Sequence, residues 1–301
     1  MIRRLDAATE TFLTDMAEIY RRLDRAQREI TSGRRINTAS DEPDQLTNLL
    51  QLRTELEQTE QIRSNLGRVK TEVNAAEQSL QAATKILDRA AVLGTQGASG
   101  TQTAAQRAMI AKEVETLLEQ MVGVARTTVE ARYVFSGDSD SQPPFTLDLT
   151  LDDPVSDYLG SAATKQVMHP TGTLFSVTKD GEEIFDNPDP SKNVFQAINS
   201  LRLGLRDDDQ TAIEAALEQL RTAQDHLNTE LAYYGTVQNQ VAEAIDFSHK
   251  QELRLKTRLS EIQDTDMTEA ILSLNQARYQ QQVSLATKAK LGRVSLFDYL
   301  G

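Results

Sequence analysis

Apolar positions in the first forty residues recur at alternating steps of three and four. Leu13, Met16, Tyr20, Leu23 and Ile30 form the series, and Gln27 is its one polar member. That period predicts an amphipathic helix over about 8–32, which Gly33 stops. Ser40-Asp41-Glu42-Pro43 then restarts a helix, with a capping residue followed by a proline in the first turn. In the next helix, 43–93, Leu52, Thr59, Leu66, Val73, Leu80 and Leu87 share one heptad position. Ile62, Val69, Ala76, Ala83 and Ala90 share the other, which favours a coiled-coil-like seam. A third helix is predicted from about 102 to 134, after the turn at Gly94–Gly100.

The pattern changes in the centre. Phe145, Leu147, Leu149 and Leu151 alternate with polar residues, the period of a half-buried strand. Leu174–Lys179 and Glu182–Phe185, joined by Asp180-Gly181, predict a two-residue hairpin. Helix resumes at 191–206 and again at about 209–264, where Asp207-Asp208-Asp209 sits at the dipole-favoured end. In that long helix Ile213, Leu220, Leu227, Tyr234, Val241, Leu255 and Ile262 share a heptad position broken by Ser248. Leu217, Leu231, Ile245 and Leu259 form a second row, interrupted by Gln224, Gln238 and Glu252. At about 1.5 Å per residue the two long helices would span roughly 75 and 80 Å, so their seams can bury each other. Asp266 and Glu269 have capping-box spacing ahead of a last helix, 267–293, marked by Met267, Ile271, Leu274 and Leu285. Leu296, Phe297, Tyr299 and Leu300 make the final segment apolar, which calls for something to pack against.

The fold class expected is therefore mainly α: a long coiled-coil-like helical rod with a small β-rich insert and amphipathic terminal helices. The expected divisions are an arm at 1–42, rod segments at 43–137 and 191–264, an insert at 138–190 and a second arm at 265–301. Six of the seven prolines fall in the insert, between 143 and 190. The insert also carries 11 acidic residues against Lys165 and Lys179, most of the chain's formal charge of −13. That balance argues against nucleic acid as a partner. No run approaches the ~18 apolar residues of a membrane span, so no membrane insertion is expected. Met1–Asp6 lacks an apolar h-region, so export, if it occurs, is expected without a cleaved signal peptide.

Catalytic chemistry is hard to assemble from these residues. With no Cys there is no thiolate nucleophile and no Cys-ligated zinc. His169, His226 and His249 lack helical metal-ligand spacing, and no Gly-x-Ser-x-Gly or Gly-Lys-Ser/Thr occurs. The expectation is no enzyme, no cofactor and no metal.

Two segments carry a resemblance. Thr31-Ser32-Gly33-Arg34-Arg35-Ile36-Asn37-Thr38-Ala39-Ser40-Asp41-Glu42-Pro43 resembles the N-terminal signature of the bacterial flagellin family. Asp264-Thr265-Asp266-Met267-Thr268-Glu269-Ala270, with Ser295-Leu296-Phe297-Asp298-Tyr299-Leu300, resembles its C-terminal signature. Gly33, Arg35, Ile36, Asn37, Ser40, Asp41, Pro43, Asp266 and Met267 carry the match. Within the family, Tyr133-Val134-Phe135-Ser136-Gly137, the brief insert and the length resemble the branch that joins hook to filament. A short filament-forming flagellin and an exported coiled-coil effector or translocator are the alternatives. The resemblance implies export through the flagellum's own channel and an extracellular place at the hook–filament junction. It implies terminal arms that stay mobile until they pair on assembly. The implied partners are further copies of the chain, an adjacent hook-associated junction protein, flagellin and an export chaperone. The implied assembly residues are Leu13, Met16, Tyr20, Leu23 and Ile30 facing Met267, Ile271, Leu274, Leu285 and Leu296, with Leu300 beyond them.

Overall fold

The computed structural model describes residues 7–291. Their elements are α1 (Ala7–Ser32), α2 (Pro43–Gly97), α3 (Ala104–Ala125), β1 (Thr128–Val129) and β2 (Arg132–Tyr133). Then follow β3 (Gln166–Met168), β4 (Leu174–Ser176), α4 (Gly181–Phe185), α5 (Val194–Arg206), α6 (Gln210–Gln263) and α7 (Met267–Leu291). The described chain is thus mainly α, with two small antiparallel strand pairs, β1–β2 and β3–β4. It divides into two compact units, residues 59–250 and the terminal segments 1–58 with 251–301.

The 59–250 unit is built on the long-helix seams. Leu66, Val73, Ala76, Leu80, Ala83, Leu87 and Ala90 of α2 are fully buried, as are Ile213, Leu220, Leu227, Tyr234 and Val241 of α6. The heptad rows predict this face. Their polar interruptions are paired: Gln238 donates to Asn74 Oδ1 at 3.0 Å and to Glu77, and Gln224 donates to Asp88. Such polar rungs fix the register of two apolar seams. Helix α3 starts at a capping box between Thr103 and Gln106 and packs against α5.

Three expectations are corrected here. The third helix stops at Ala125 rather than 134. The β-branched run Thr127-Thr128-Val129 favours extended backbone, and Glu130 and Ala131 turn at φ 51° and 63° to pair Thr128 with Tyr133. The expected hairpin about Asp180-Gly181 does not form. Instead Leu174–Ser176 pairs back onto Gln166–Met168, and the Asp180 side chain accepts from the Glu183 amide at 2.8 Å as the N-cap of α4. Two acidic residues after Gly181 favour that helix start. The expected strand at 145–151 is reduced to one bridge, Leu147 to Val155, because Asp148 forms a local turn by accepting from the Thr150 amide at 3.0 Å.

The insert anchors to the helices through aromatic packing. The rings of Phe145 and Phe185 lie 4.8 and 5.8 Å from that of Phe195 on α5, the first edge-on and the second stacked. Lys179 carries its ammonium between Glu183 and the buried Glu230, 5.0 Å over the Tyr233 ring.

The terminal unit is thinner. Helices α1 and α7 run antiparallel: Thr9 meets Lys288 at one end and Gly33 meets Thr265 at the other. Its buried apolar residues are Met16, Ile19, Ala26, Ile36, Leu49, Leu52, Leu255, Ala270 and Ala277.

Candidate functional site: the joint and flanks of the terminal helices

Gly33 ends α1 in the left-handed region at φ +70°, its amide donating to Glu29 O at 2.9 Å. The chain then forms a compact turn. The Asp41 carboxylate accepts from the amides of Asn37 and Thr38 at 3.0 and 2.7 Å, and Asn37 Nδ2 donates to Arg34 O at 2.7 Å. Partial burial acts to raise the Asp41 carboxyl, but the amides of Thr38 and Asn37 outweigh it and hold it below the usual carboxylate range. Ser40 Oγ pairs with Thr38 Oγ1 at 3.0 Å, Ile36 is buried, and Pro43 opens α2.

This turn is bonded to the turn between α6 and α7. Arg35 N donates to Gln263 O at 2.7 Å, and Thr265 N donates to Gly33 O at 3.0 Å, about the Arg34–Asp264 bridge. The Arg35 guanidinium donates to Ile262 O at 2.9 Å and contacts Glu42 at 3.1 Å. Arg53 donates to the buried Gln263 side chain at 3.2 Å. Asp266 starts α7 by accepting from the amides of Thr268 and Glu269 at 2.8 and 3.3 Å. Those two amides hold its carboxyl below the usual range. Among the signature residues Met267 carries none of these contacts and is 43% exposed.

Beyond the joint, the inward face of α1 is Phe12, Met16, Ile19, Leu23, Ala26 and Ile30. It shares Met16, Leu23 and Ile30 with the series read from the sequence, while Leu13 and Tyr20 are 51% and 52% exposed. The two heptad frames overlap, and Gln27 against Ala26 was the signal separating them. The inward face of α7 carries one large apolar side chain, Leu274, among small or polar ones: Ala270, Ala277, Gln281, Ser284 and Lys288. Lys288 lies 5.3 Å over the Phe12 ring. Ile271 and Leu285 are about half exposed, and Leu296 and Leu300 lie outside the described residues.

The two flanks of this pair are unlike. Leu13, Tyr20, Ile271 and Leu285 each stand one residue C-terminal of an inward position. In an antiparallel pair such positions emerge on the same side, so with Met267 they stand on one flank, interspersed with Asp24, Gln27, Asn275 and Arg278. The other flank is a cleft of about 510 Å³, walled by Arg22, Arg25, Glu29, Glu42 and Glu269 over Ala26, Ala270 and Ala277. Arg25 holds Glu29 at 2.9 Å there. Arg25–Glu29 and Arg35–Glu42 pair within the cleft, while Arg22 pairs with Glu18 outside it. Among the described residues no cluster of His, Asp or Glu is placed to hold a metal ion, and no helix is long and apolar enough to cross a membrane.

Comparison with known proteins gives two matches to family models. Residues 6–140 match the bacterial flagellin N-terminal helical region and residues 211–300 match the bacterial flagellin C-terminal helical region. No protein of curated function matches the chain. Among solved structures, a chain assigned as a flagellar hook-associated protein from Vibrio parahaemolyticus superposes with a TM-score of 0.66 at 18% identity. The match covers 74% of this chain and 100% of that one. Hook-associated protein 3 of Legionella pneumophila gives 0.61 at 13% identity, over 70% and 98% of the two chains. FlgL of Bacillus cereus gives 0.56 at 22%, over 71% and 100%. These likenesses show a shared fold. The family and these neighbours are structural proteins of the flagellum rather than enzymes.

Proposed function

Since this chain belongs to the bacterial flagellin family, with both helical regions of that family in place, we propose that it is a structural subunit joining the flagellar hook to the filament. The observation that carries the reading is the set of half-exposed apolar side chains on one flank of the α1–α7 pair. Leu13, Tyr20, Met267, Ile271 and Leu285 are 43–52% exposed along two helices that otherwise bury little. Large apolar side chains grouped in this way mark a surface that another protein covers. With Leu274 as its one large apolar inward residue, α7 holds the pair weakly by itself, so docking both orders and covers it. The preference for a junction subunit over a filament subunit rests on the fold shared with hook-associated proteins.

On this reading the chain leaves the cell through the flagellum's own channel and needs no cleaved signal peptide. An export chaperone covers these apolar side chains until assembly. Its partners outside the cell are further copies of itself, an adjacent hook-associated junction protein and the first flagellin subunits. The acidic insert faces outward.

Immunogold electron microscopy of intact flagella with antibodies against the chain tests this. Gold confined to the boundary between hook and filament is the expected result. Gold along the whole filament would make the chain a flagellin, and gold absent from flagella would return weight to an exported effector.

A further inference from the structure

We propose that Arg35 is the positioning residue that makes the two terminal helices pair as one unit; this rests on reading that pair as the assembly element. A helix leaves its last four carbonyls without partners inside the helix, and its C-terminal end favours a cation. At the end of α6 the carbonyls of Ile262 and Gln263 are met from the far end of the sequence. Arg35 takes the first with its guanidinium at 2.9 Å and the second with its backbone amide at 2.7 Å. The guanidinium also holds Glu42 at 3.1 Å, one residue before α2. One residue therefore caps α6 in trans while tying that cap to the start of α2.

The direction of α7 is set three residues after this cap, at Asp266. Thr265 N donates to Gly33 O, the residue that terminates α1, so α1 ends and α7 begins on the same bonded bridge. The seam alone fixes the helices' mutual placement weakly, because α7 offers only Leu274 as a large apolar side chain toward α1, beside Ala270, Ala277, Gln281, Ser284 and Lys288. Small side chains allow close approach but tolerate sliding, since little shape is left to interlock. Registration comes instead from the joint, and Arg35 contributes two of the contacts that cross it, beside Thr265 to Gly33 and Arg53 to Gln263. Arg in place of Lys follows from the geometry: a planar fork reaches Ile262 O and Glu42 together, which a single ammonium does not.

The chain has no cysteine, so engineered pairs report cleanly. Arg22→Cys and Ser273→Cys stand on opposite walls of the α1–α7 cleft. The rate at which a short bismaleimide joins them in the purified full-length protein reads the pairing of the two helices. Arg35→Ala in this background is expected to slow cross-linking roughly 10-fold, the scale for losing hydrogen bonds to a charged group. Arg35→Lys restores less than half of the loss on a logarithmic scale. Leu118→Ala, in the buried core of the other unit, lowers thermal stability and leaves the rate unchanged. An unchanged rate in Arg35→Ala, or the same slowing in Leu118→Ala, overturns the proposal. Should Arg35→Ala fail to accumulate, Arg35→Met keeps the backbone bond to Gln263 O and removes both guanidinium contacts; a rate equal to wild type there overturns it as well. The junction reading is tested by where the chain sits on flagella, so either idea can fail alone.

Discussion

Gly137 and Gly67 show how differently one residue type acts in this chain. Gly137 turns at φ +59°, and a Cβ there would lie 2.0 Å from Ser161 O. Gly67 sits on an exposed face of α2 with nothing within 4 Å of such a Cβ. Gly137→Ala is expected to destabilise the 59–250 unit by roughly 2–4 kcal/mol, from left-handed backbone and a backbone clash. Gly67→Ala is expected to stabilise it by about 0.5–1 kcal/mol. Denaturant midpoints of the two variants check both signs. Asp266 supplies a pH signature. Its carboxyl is held below the usual range by the Thr268 and Glu269 amides, so its contribution is complete above the unfolded carboxylate value of about 4. It is lost as pH falls through the lower folded value. Asp41 is depressed in the same direction by its own amides and adds to this acid-side loss. Asp266→Asn keeps an N-cap acceptor without a titrating charge. Its far-UV circular dichroism between pH 7 and 2 is expected to show a smaller acid-side loss of helix than wild type.

At the scale of elements, legibility followed whether a single period governed the segment. In α2 and α6 the apolar rows persist for many turns, and the residues named from spacing, Leu66 to Leu87 and Ile213 to Val241, are the buried ones. Short elements had rival local signals. Asp180-Gly181 carries both a hairpin-turn signature and a helix start, and the helix start prevails because Asp180 finds the Glu183 amide. The hairpin after α3 was hidden because its two central residues are Glu130 and Ala131, neither of which favours the positive φ they adopt. Replacing them with Asn-Gly is expected to raise stability by about 1–2 kcal/mol, since each L-residue there gives up comparable energy. A rise in denaturant midpoint at unchanged slope would check it; no gain would mean the turn is not strained. The joint was partly legible. The signature segments were visible as sequence, but that Arg35 caps α6 depends on contacts across more than two hundred residues, which spacing does not reveal.

The whole molecule combines a helical unit carrying an acidic insert with a thinner terminal unit that exposes apolar side chains on one flank. That flank has a direct consequence for assembly. Leu13→Glu with Ile271→Glu changes two half-exposed side chains, so the purified protein is expected to keep its helix content and melting behaviour. The same double variant is expected to abolish motility while still being exported. Motile cells carrying it would remove the flank from the assembly surface. Deletion of the gene, with the hook viewed by electron microscopy and flagellin measured in the medium, tests the junction role outright. The account predicts intact hooks without filaments, flagellin monomers shed into the medium, and recovery when the gene is restored. Normal filaments in the deleted strain, with no second copy of the gene, would contradict it.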